Sequence, residues 1–170
     1  PAIREFVATL LARLNDGWPG TPPQVVLEPG RSIVGPAGIT LYRVGVVKQA
    51  GDGTTFVAVD GGMSDNPRPQ LYDASYTGVL ANRAGEPADG TYVVCGKHCE
   101  SGDVMIHDLP LPAPRRGDLL AVPATGAYAL SMASNYNLVP RPAAVLVTDG
   151  EARLIRRRET IGDLLELEVP

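Results

Sequence analysis

The chain has 170 residues, of which 44% are hydrophobic, and its formal net charge is −4. That length allows one domain with a core, or a domain plus part of another, and the acidic balance disfavours nucleic acid as a partner. No apolar run approaches the roughly 18 residues that cross a bilayer, and Cys95 and Cys99 are too few for a disulfide framework. We therefore expect a cytoplasmic protein, not bound to membranes, whose partner is a small molecule or another protein.

The N-terminal segment has an α/β pattern. Prolines and glycines after Trp18 end a helix whose apolar side chains share one face, namely Ile3, Phe6, Val7, Leu10, Leu11 and Leu14. The apolar run 24–27 then predicts a short buried parallel strand, and a turn leads into a second helix with Ser32 as candidate N-cap. Because one helix and one parallel strand do not form a domain, we expect an N-terminal portion to complete it.

After residue 38 the pattern becomes that of a β domain. The turn Asp149-Gly150 predicts a hairpin, Ala127–Ala133 predicts a short helix, and 160–167 predicts a closing helix with Thr160 as N-cap. Short apolar and β-branched runs between turn clusters predict a β-sandwich or β-barrel, with candidate strands at 39–48, 55–60, 76–80, 91–95, 104–109, 118–123, 143–148 and 151–157.

Two clusters of candidate site residues precede the middle of the chain. The turn Glu28-Pro29-Gly30-Arg31 exposes backbone N–H groups where a helix begins, which suits a phosphate, although a plain strand-to-helix turn has the same sequence pattern. The loop 60–72 holds Arg68 between two prolines, which fixes a guanidinium able to bind a carboxylate. An ordinary polar loop is the alternative for this second cluster.

Two further clusters follow. Cys99 lies beside Lys97, His98 and Glu100 in a glycine-bracketed loop, so its thiol is a candidate acid or nucleophile. A zinc site is not expected there, because no second half-site follows these residues. Tyr128 is surrounded by small residues, and its hydroxyl is suited to a phosphate or a carboxylate; a tyrosine half-buried in packing is the alternative.

Four stretches, in this order and spacing, resemble the C-terminal part of diaminopimelate decarboxylases, which belong to the fold-type III amino-acid decarboxylases dependent on pyridoxal 5′-phosphate (PLP). The stretches are EPGRSIVGPAG, VDGGMSDNPRPQLYDA, GKHCESGD and ATGAYALSMASNYN, and the ending RRETIGDLLELE is also similar. The resemblance runs from about residue 25 to the end. Related ornithine and arginine decarboxylases have Asp at the position of Glu100, so the Glu favours diaminopimelate.

The resemblance implies a fold and an assembly. Residues 1–38 are expected to end a PLP-binding (β/α)8 barrel, and residues 39–170 to form a mainly β domain of the alanine racemase-like type. The family works as a homodimer with active sites shared between subunits. Its reaction converts meso-2,6-diaminopimelate to L-lysine, the last step of lysine biosynthesis.

The resemblance also implies residue roles. Glu28, Pro29, Gly30 and Arg31 are expected to hold the PLP phosphate, and Tyr128 to contact PLP and substrate. The substrate would also meet a further set of side chains, Arg31, Arg68, Tyr72 and Glu100. Cys99 would be the proton donor, acting with Glu100 in the partner subunit's site.

One departure limits these expectations. The Schiff-base lysine of the family lies on an early barrel strand, whereas this chain has only Lys48 and Lys97, neither in that context. We therefore expect no decarboxylation by this polypeptide without the missing N-terminal barrel. Two alternatives stay open: a related enzyme that acts on another amino acid, and a non-catalytic homologue that binds a partner enzyme.

Overall fold

The computed structural model describes residues 2–169, which form eight strands and five short or medium helices. The helices are α1 (Ile3–Gly17), α2 (Arg31–Val34), α3 (Arg68–Tyr72), α4 (Ala129–Met132) and α5 (Ile161–Leu164). The strands are β1 (Ile39–Gln49), β2 (Thr55–Val59), β3 (Val79–Leu80), β4 (Gly90–Cys95), β5 (Val104–Leu111), β6 (Leu119–Pro123), β7 (Ala144–Thr148) and β8 (Glu151–Arg156). None of the helices between residues 2 and 169 has both the length and the hydropathy that crossing a membrane requires.

Six strands form one curled sheet in the order β3-β6-β1-β2-β4-β5. The first half of β1 pairs with β6, and its second half pairs with β2 after a register irregularity between Val44 and Val46. Such an irregularity bends the strand, so β1 turns the sheet from one set of partners to the other. All pairs are antiparallel except β2 with β4.

The core lies against the concave arrangement of these strands. Buried residues alternate with more exposed ones along β2 and in the middle of β1, as expected when one face of a sheet is buried, whereas β5 and β6 also bury consecutive residues. Leu120 and Val94, for example, have no exposed surface. The buried cluster comprises Tyr42, Val44, Val57, Val59, Leu80, Val94, Met105, Ile106, Leu109, Leu111, Leu120 and Val122.

The predicted mainly β fold is confirmed, and the predicted strands are present except that the segment 76–80 contains only the two-residue strand β3. The hairpin turn is also confirmed, because Asp149 and Gly150 both have positive φ, 52° and 80°, and Thr148 pairs with Glu151. Positive φ at both central residues is the conformation that matches the twist of a two-residue hairpin. This hairpin, β7-β8, is a separate two-stranded sheet.

Two predictions for the N-terminal segment are wrong. Residues 24–27 form neither a strand nor a buried segment, and Val26 is 75% exposed. A strand exists only through hydrogen bonds to a neighbour, and none of the strands described between residues 2 and 169 pairs with this segment. Ser32 is not an N-cap, because it lies inside α2, which begins at Arg31 and has Gly30 as its N-cap.

The predicted helices near the C-terminus are present but shorter than expected. The segment 127–133 contains α4 over Ala129–Met132, and the closing helix α5 covers Ile161–Leu164. Thr160 is the N-cap of α5, as predicted, and its hydroxyl accepts a hydrogen bond from the backbone N–H of Asp163. The Asp163 carboxylate in turn accepts two 2.6 Å hydrogen bonds from the guanidinium of Arg157, which anchors α5 to the end of β8.

Candidate active site

A glycine junction brings the 28–31 turn to the segment that contains Tyr128. The N–H of Gly126 donates to the carbonyl of Gly35 over 3.1 Å, and the N–H of Thr125 donates to Gly38 over the same distance. A Cβ at Gly126 would lie 2.0 Å from the carbonyl oxygen of Val34, and one at Gly38 would lie 2.2 Å from Gly126 Cα. The two backbones therefore approach at a distance that only glycine permits.

Tyr128 stands at the start of α4 with an unusual backbone. Its φ is 70°, a left-handed conformation that a residue with a Cβ rarely adopts. Its hydroxyl would lie 3.3 Å from a Cβ built on Gly30. Gly30 therefore leaves its backbone open beside a phenolic hydroxyl, while Glu28, Pro29 and the rest of the turn are exposed.

Arg68 lies between two tyrosine rings. Its guanidinium carbon is 5.4 Å from the ring centroid of Tyr72 and 5.3 Å from that of Tyr128. Both distances are within the range of a cation–π interaction. The Nε of Arg68 is buried and has no hydrogen-bond partner among the described residues. The planar guanidinium is thus held in position with donor capacity left for an anionic group.

Asp103 ties together the two loops that carry the other candidate residues. Its carboxylate accepts hydrogen bonds from the backbone N–H groups of Met63 (2.7 Å) and His98 (2.9 Å). The Nδ1 of His98 lies 2.8 Å from the same carboxylate. A Cβ at Gly96 would lie 2.0 Å from Asp103 Oδ2, and one at Gly62 would lie 2.6 Å from it. Glycines therefore make room for the carboxylate on both sides.

Cys99 and Glu100 are exposed in the loop that Asp103 anchors. The hydroxyl of Tyr136 donates a hydrogen bond to the Glu100 carboxylate. The ring of Tyr136 stacks on that of His98, with centroids 6.0 Å apart and an angle of 18° between planes. Cys99 and Glu100 are thus adjacent residues of one exposed loop, and this loop also contains the buried His98 on which Tyr136 stacks.

The structure brings the predicted site residues together in two groups. Gly30, Arg68, Tyr72 and Tyr128 form the first group, and Cys99 with Glu100 forms the second. Sequence reasoning missed Tyr136 and the His98–Asp103 pair as parts of the second group. Tyr136 lies in the quoted stretch ATGAYALSMASNYN, but no local spacing links it to Glu100, because the two are 36 positions apart.

A cleft of about 340 Å³ next to α3 involves none of these groups directly. Its lining contains none of the residues of the two groups and consists of Pro69, Gln70, Asp73, Ala74, Ser75, Tyr76, Ser101, Gly102, Val104, Met105, Ile106 and His107. The chemistry-bearing side chains therefore lie outside this cleft.

The chain matches a known protein family over most of the segment that contains these site residues. Residues 16–126, more than half of the chain, match the family model for the C-terminal sheet domain of pyridoxal-dependent decarboxylases. The chain belongs to the pyridoxal-dependent decarboxylases. The predicted resemblance and the mainly β fold of this family are confirmed.

Individual members of this decarboxylase family are similar over nearly the whole chain. The diaminopimelate decarboxylases of Bacillus subtilis (strain 168) and Synechocystis sp. are each 55% identical to it, over 87% and 97% of this chain. The crystal structure of diaminopimelate decarboxylase from M. jannaschii superposes with a TM-score of 0.85 at 33% identity, covering 100% of this chain. The chain spans only 34% and 36% of the length of the two curated relatives, and 39% of the crystal structure.

The first group of residues fits a role in holding the cofactor that gives the decarboxylase family its name. The absence of a side chain at Gly30 leaves a backbone cradle, and the Tyr128 hydroxyl faces it at 3.3 Å from the built Cβ position. The backbone N–H groups of a turn and a phenolic hydroxyl can both donate hydrogen bonds to the oxygens of a phosphate.

Proposed function

We propose that this chain provides the substrate-recognising and proton-donating part of a diaminopimelate decarboxylase. The reaction releases CO2 from meso-2,6-diaminopimelate and leaves L-lysine, the last step of lysine biosynthesis. The observation that carries the proposal is 55% identity to a diaminopimelate decarboxylase over 97% of the chain. The two groups of polar residues described above supply the chemistry that this substrate needs.

The substrate carries an amino-acid group at the end that does not react. We assign its distal carboxylate to Arg68, with Tyr72 fixing the guanidinium from one side at 5.4 Å. Glu100 accepts hydrogen bonds from the distal ammonium, and we assign Arg31, exposed at the start of α2, a further contact with the substrate. Opposite charges at both positions recognise a zwitterion, and a substrate lacking either charge leaves one protein charge unpaired.

The cofactor assignment rests on the first group. Backbone groups of Glu28-Pro29-Gly30-Arg31 hold the phosphate of PLP, and Tyr128 contacts both cofactor and substrate. When bound, PLP supplies an electron sink that accepts the electron pair of the C–C bond broken as CO2 departs. The Schiff-base lysine is assigned to a barrel outside residues 1–170, because Lys48 is on β1 and Lys97 is beside the site cysteine.

Cys99 is assigned the proton transfer. After CO2 leaves, the reacting carbon needs one proton on one face, and the S–H of Cys99 is exposed and able to donate it. Glu100, next to it in the chain, binds the far end of the same substrate. A single loop thereby controls both the position of the substrate and the face that receives the proton.

The assembly is part of the proposal. Residues 1–38 are assigned to the end of the PLP-binding barrel, which is supported by the exposed apolar side chains of Phe6 (57%) and Val26 (75%). Residues 39–170 are assigned to the C-terminal β domain. We assign Cys99 and Glu100 to the active site of the partner subunit in a homodimer. Both cysteines are free thiols, which is consistent with the cytoplasm as the site of action.

A chimera tests the proposal. Residues 1–170 replace the corresponding C-terminal third of the Bacillus subtilis relative, and the purified protein receives PLP and meso-diaminopimelate. We expect equimolar lysine and CO2, and none from the unfused chain, which is the matched control. A folded chimera that binds PLP, seen by its absorbance, yet forms no lysine would contradict the proposal. Turnover of a different amino acid would instead favour the substrate alternative, and no turnover of any would favour a non-catalytic partner.

A further inference from the structure

His98 is a buried group that the proposed mechanism does not use. Its side chain has no exposed surface, and its Nδ1 is fixed by Asp103, which is itself 2% exposed. The other ring nitrogen, Nε2, is buried without a hydrogen-bond partner among the described residues. A buried polar nitrogen without a hydrogen-bond partner destabilises the fold, so the presence of His98 here is not explained by its own hydrogen bonds.

The ring of Tyr136 packs against that of His98. The two rings are stacked at 6.0 Å with planes 18° apart, and Tyr136 continues outward to Glu100, to which its hydroxyl donates. Asp103, His98, Tyr136 and Glu100 therefore form one chain of contacts from the sheet edge to the exposed carboxylate. Asn135, the residue before Tyr136, is held independently by the Glu159 carboxylate at 2.6 Å, which fixes the backbone that presents the tyrosine.

We propose that Tyr136, supported by His98, is a specificity-determining positioning residue that orients the Glu100 carboxylate toward the distal ammonium of the substrate. The inference rests on the proposed function and deepens it, since it names which residues make the Glu100 contact selective. A carboxylate has acceptor sites for both partners, so Glu100 can accept from the tyrosine and from an ammonium at once. Without the tyrosine, an exposed glutamate samples several rotamers and loses that orientation.

The protonation of the Tyr136 hydroxyl agrees with its proposed role as hydrogen-bond donor to Glu100. The hydrogen bond to Glu100, followed by partial burial and the nearby charges of Glu100 and Cys99, raises the pKa of Tyr136. The hydroxyl therefore keeps its proton at neutral pH and acts as the donor. The Tyr136 hydroxyl donates to Oε1 of Glu100, which leaves Oε2 for the substrate.

Two inhibitors that differ by one group test the inference in the chimera described above. L-lysine carries the α-ammonium that Glu100 would bind, whereas 6-aminohexanoate has the same chain, carboxylate and terminal amine without it. We expect Tyr136→Phe to raise the inhibition constant of L-lysine about 10-fold, the loss expected for a hydrogen bond to a charged group. The inhibition constant of 6-aminohexanoate is expected to stay unchanged. Tyr92→Phe is the matched control, because it removes a hydroxyl bonded to Asp89 at 3.1 Å, away from the site.

A second variant tests the support from His98. His98→Asn keeps an N–H for Asp103 but removes the ring beneath Tyr136, so it should also weaken L-lysine selectively. The double variant should be no worse than Tyr136→Phe alone, because both changes act through Glu100. Equal weakening of both inhibitors, or no change in either, would overturn the inference while the unsubstituted chimera still makes lysine. An unsubstituted chimera that neither makes nor binds lysine would overturn the proposed function and this inference together.

Discussion

Cys95 and Cys99 are close in sequence but have different surroundings. Cys95 is the last residue of β4 and is half-buried, and burial together with the charge of Asp103 raises the pKa of its thiol. Cys99 is exposed in the loop that follows. Of these two thiols, the one at position 99 is thus placed to reach a bound molecule, and the other is a packing residue.

Replacement of each cysteine by alanine separates these roles. Cys99→Ala in the chimera is expected to lower kcat by about 10²- to 10⁴-fold, the usual contribution of a positioned acid, with little change in KM. Cys95→Ala is the control and should retain kcat. Steady-state kinetics with meso-diaminopimelate measure both, and a Cys99→Ala variant with near-normal kcat would refute the proton-donor assignment.

At the scale of single residues, the sequence predicts which residues belong to the site better than it predicts which side chains contact them. Arg68 was predicted as a fixed guanidinium from its flanking prolines, and the structure adds that two tyrosine rings hold it. Glu100 was found through the resemblance, but its contact with Tyr136 joins segments far apart in the chain. Contacts of this kind depend on tertiary packing, which local patterns do not encode.

At the scale of elements, the strands followed the pattern of apolar residues closely. Seven of the eight predicted strands overlap the observed ones almost entirely, whereas the segment 76–80 contains only the two-residue strand β3. Alternating burial and turn residues are local signals, and they suffice where a strand has partners within the chain. The segment 24–27 has the same composition but no partner strand, and it is irregular.

The junction between the segments 35–38 and 124–126 brings together members of the first site group, namely Gly30 and Tyr128. Gly126→Ala places a methyl group 2.0 Å from the Val34 carbonyl oxygen, which forces the backbones apart. We expect a loss of about 3 kcal/mol in the free energy of unfolding, the upper part of the range for overpacking. Urea-induced unfolding followed by circular dichroism measures it.

Gly51→Ala is the matched control for this junction. A Cβ there meets no atom within 4 Å, and the backbone conformation is not left-handed. Its free energy of unfolding should stay the same or rise slightly, since alanine has less conformational freedom in the unfolded chain. Equal stability of the Gly126→Ala and Gly51→Ala variants would show that the junction is not tightly packed.

At the scale of the whole molecule, we propose that the chain supplies one share of a larger site. It spans 34% and 36% of the two curated relatives, and under the proposed function its residues recognise a zwitterion and donate a proton. The family and the mainly β fold were predictable from four short stretches in order. The arrangement of Arg68, Glu100 and Cys99 around one substrate is the central proposal, and it predicts a strict choice of substrate.

That choice is measured directly by competition. The PLP-loaded chimera receives equal concentrations of unlabelled meso-diaminopimelate and isotopically labelled L-lysine, and the unlabelled lysine and labelled cadaverine that form are quantified together by mass. When the single carboxylate of lysine is at the reacting end, no carboxylate remains at the distal end to pair with Arg68. We therefore expect kcat/KM for lysine to be about 10⁴-fold lower than for meso-diaminopimelate. Comparable formation of cadaverine and lysine would contradict it.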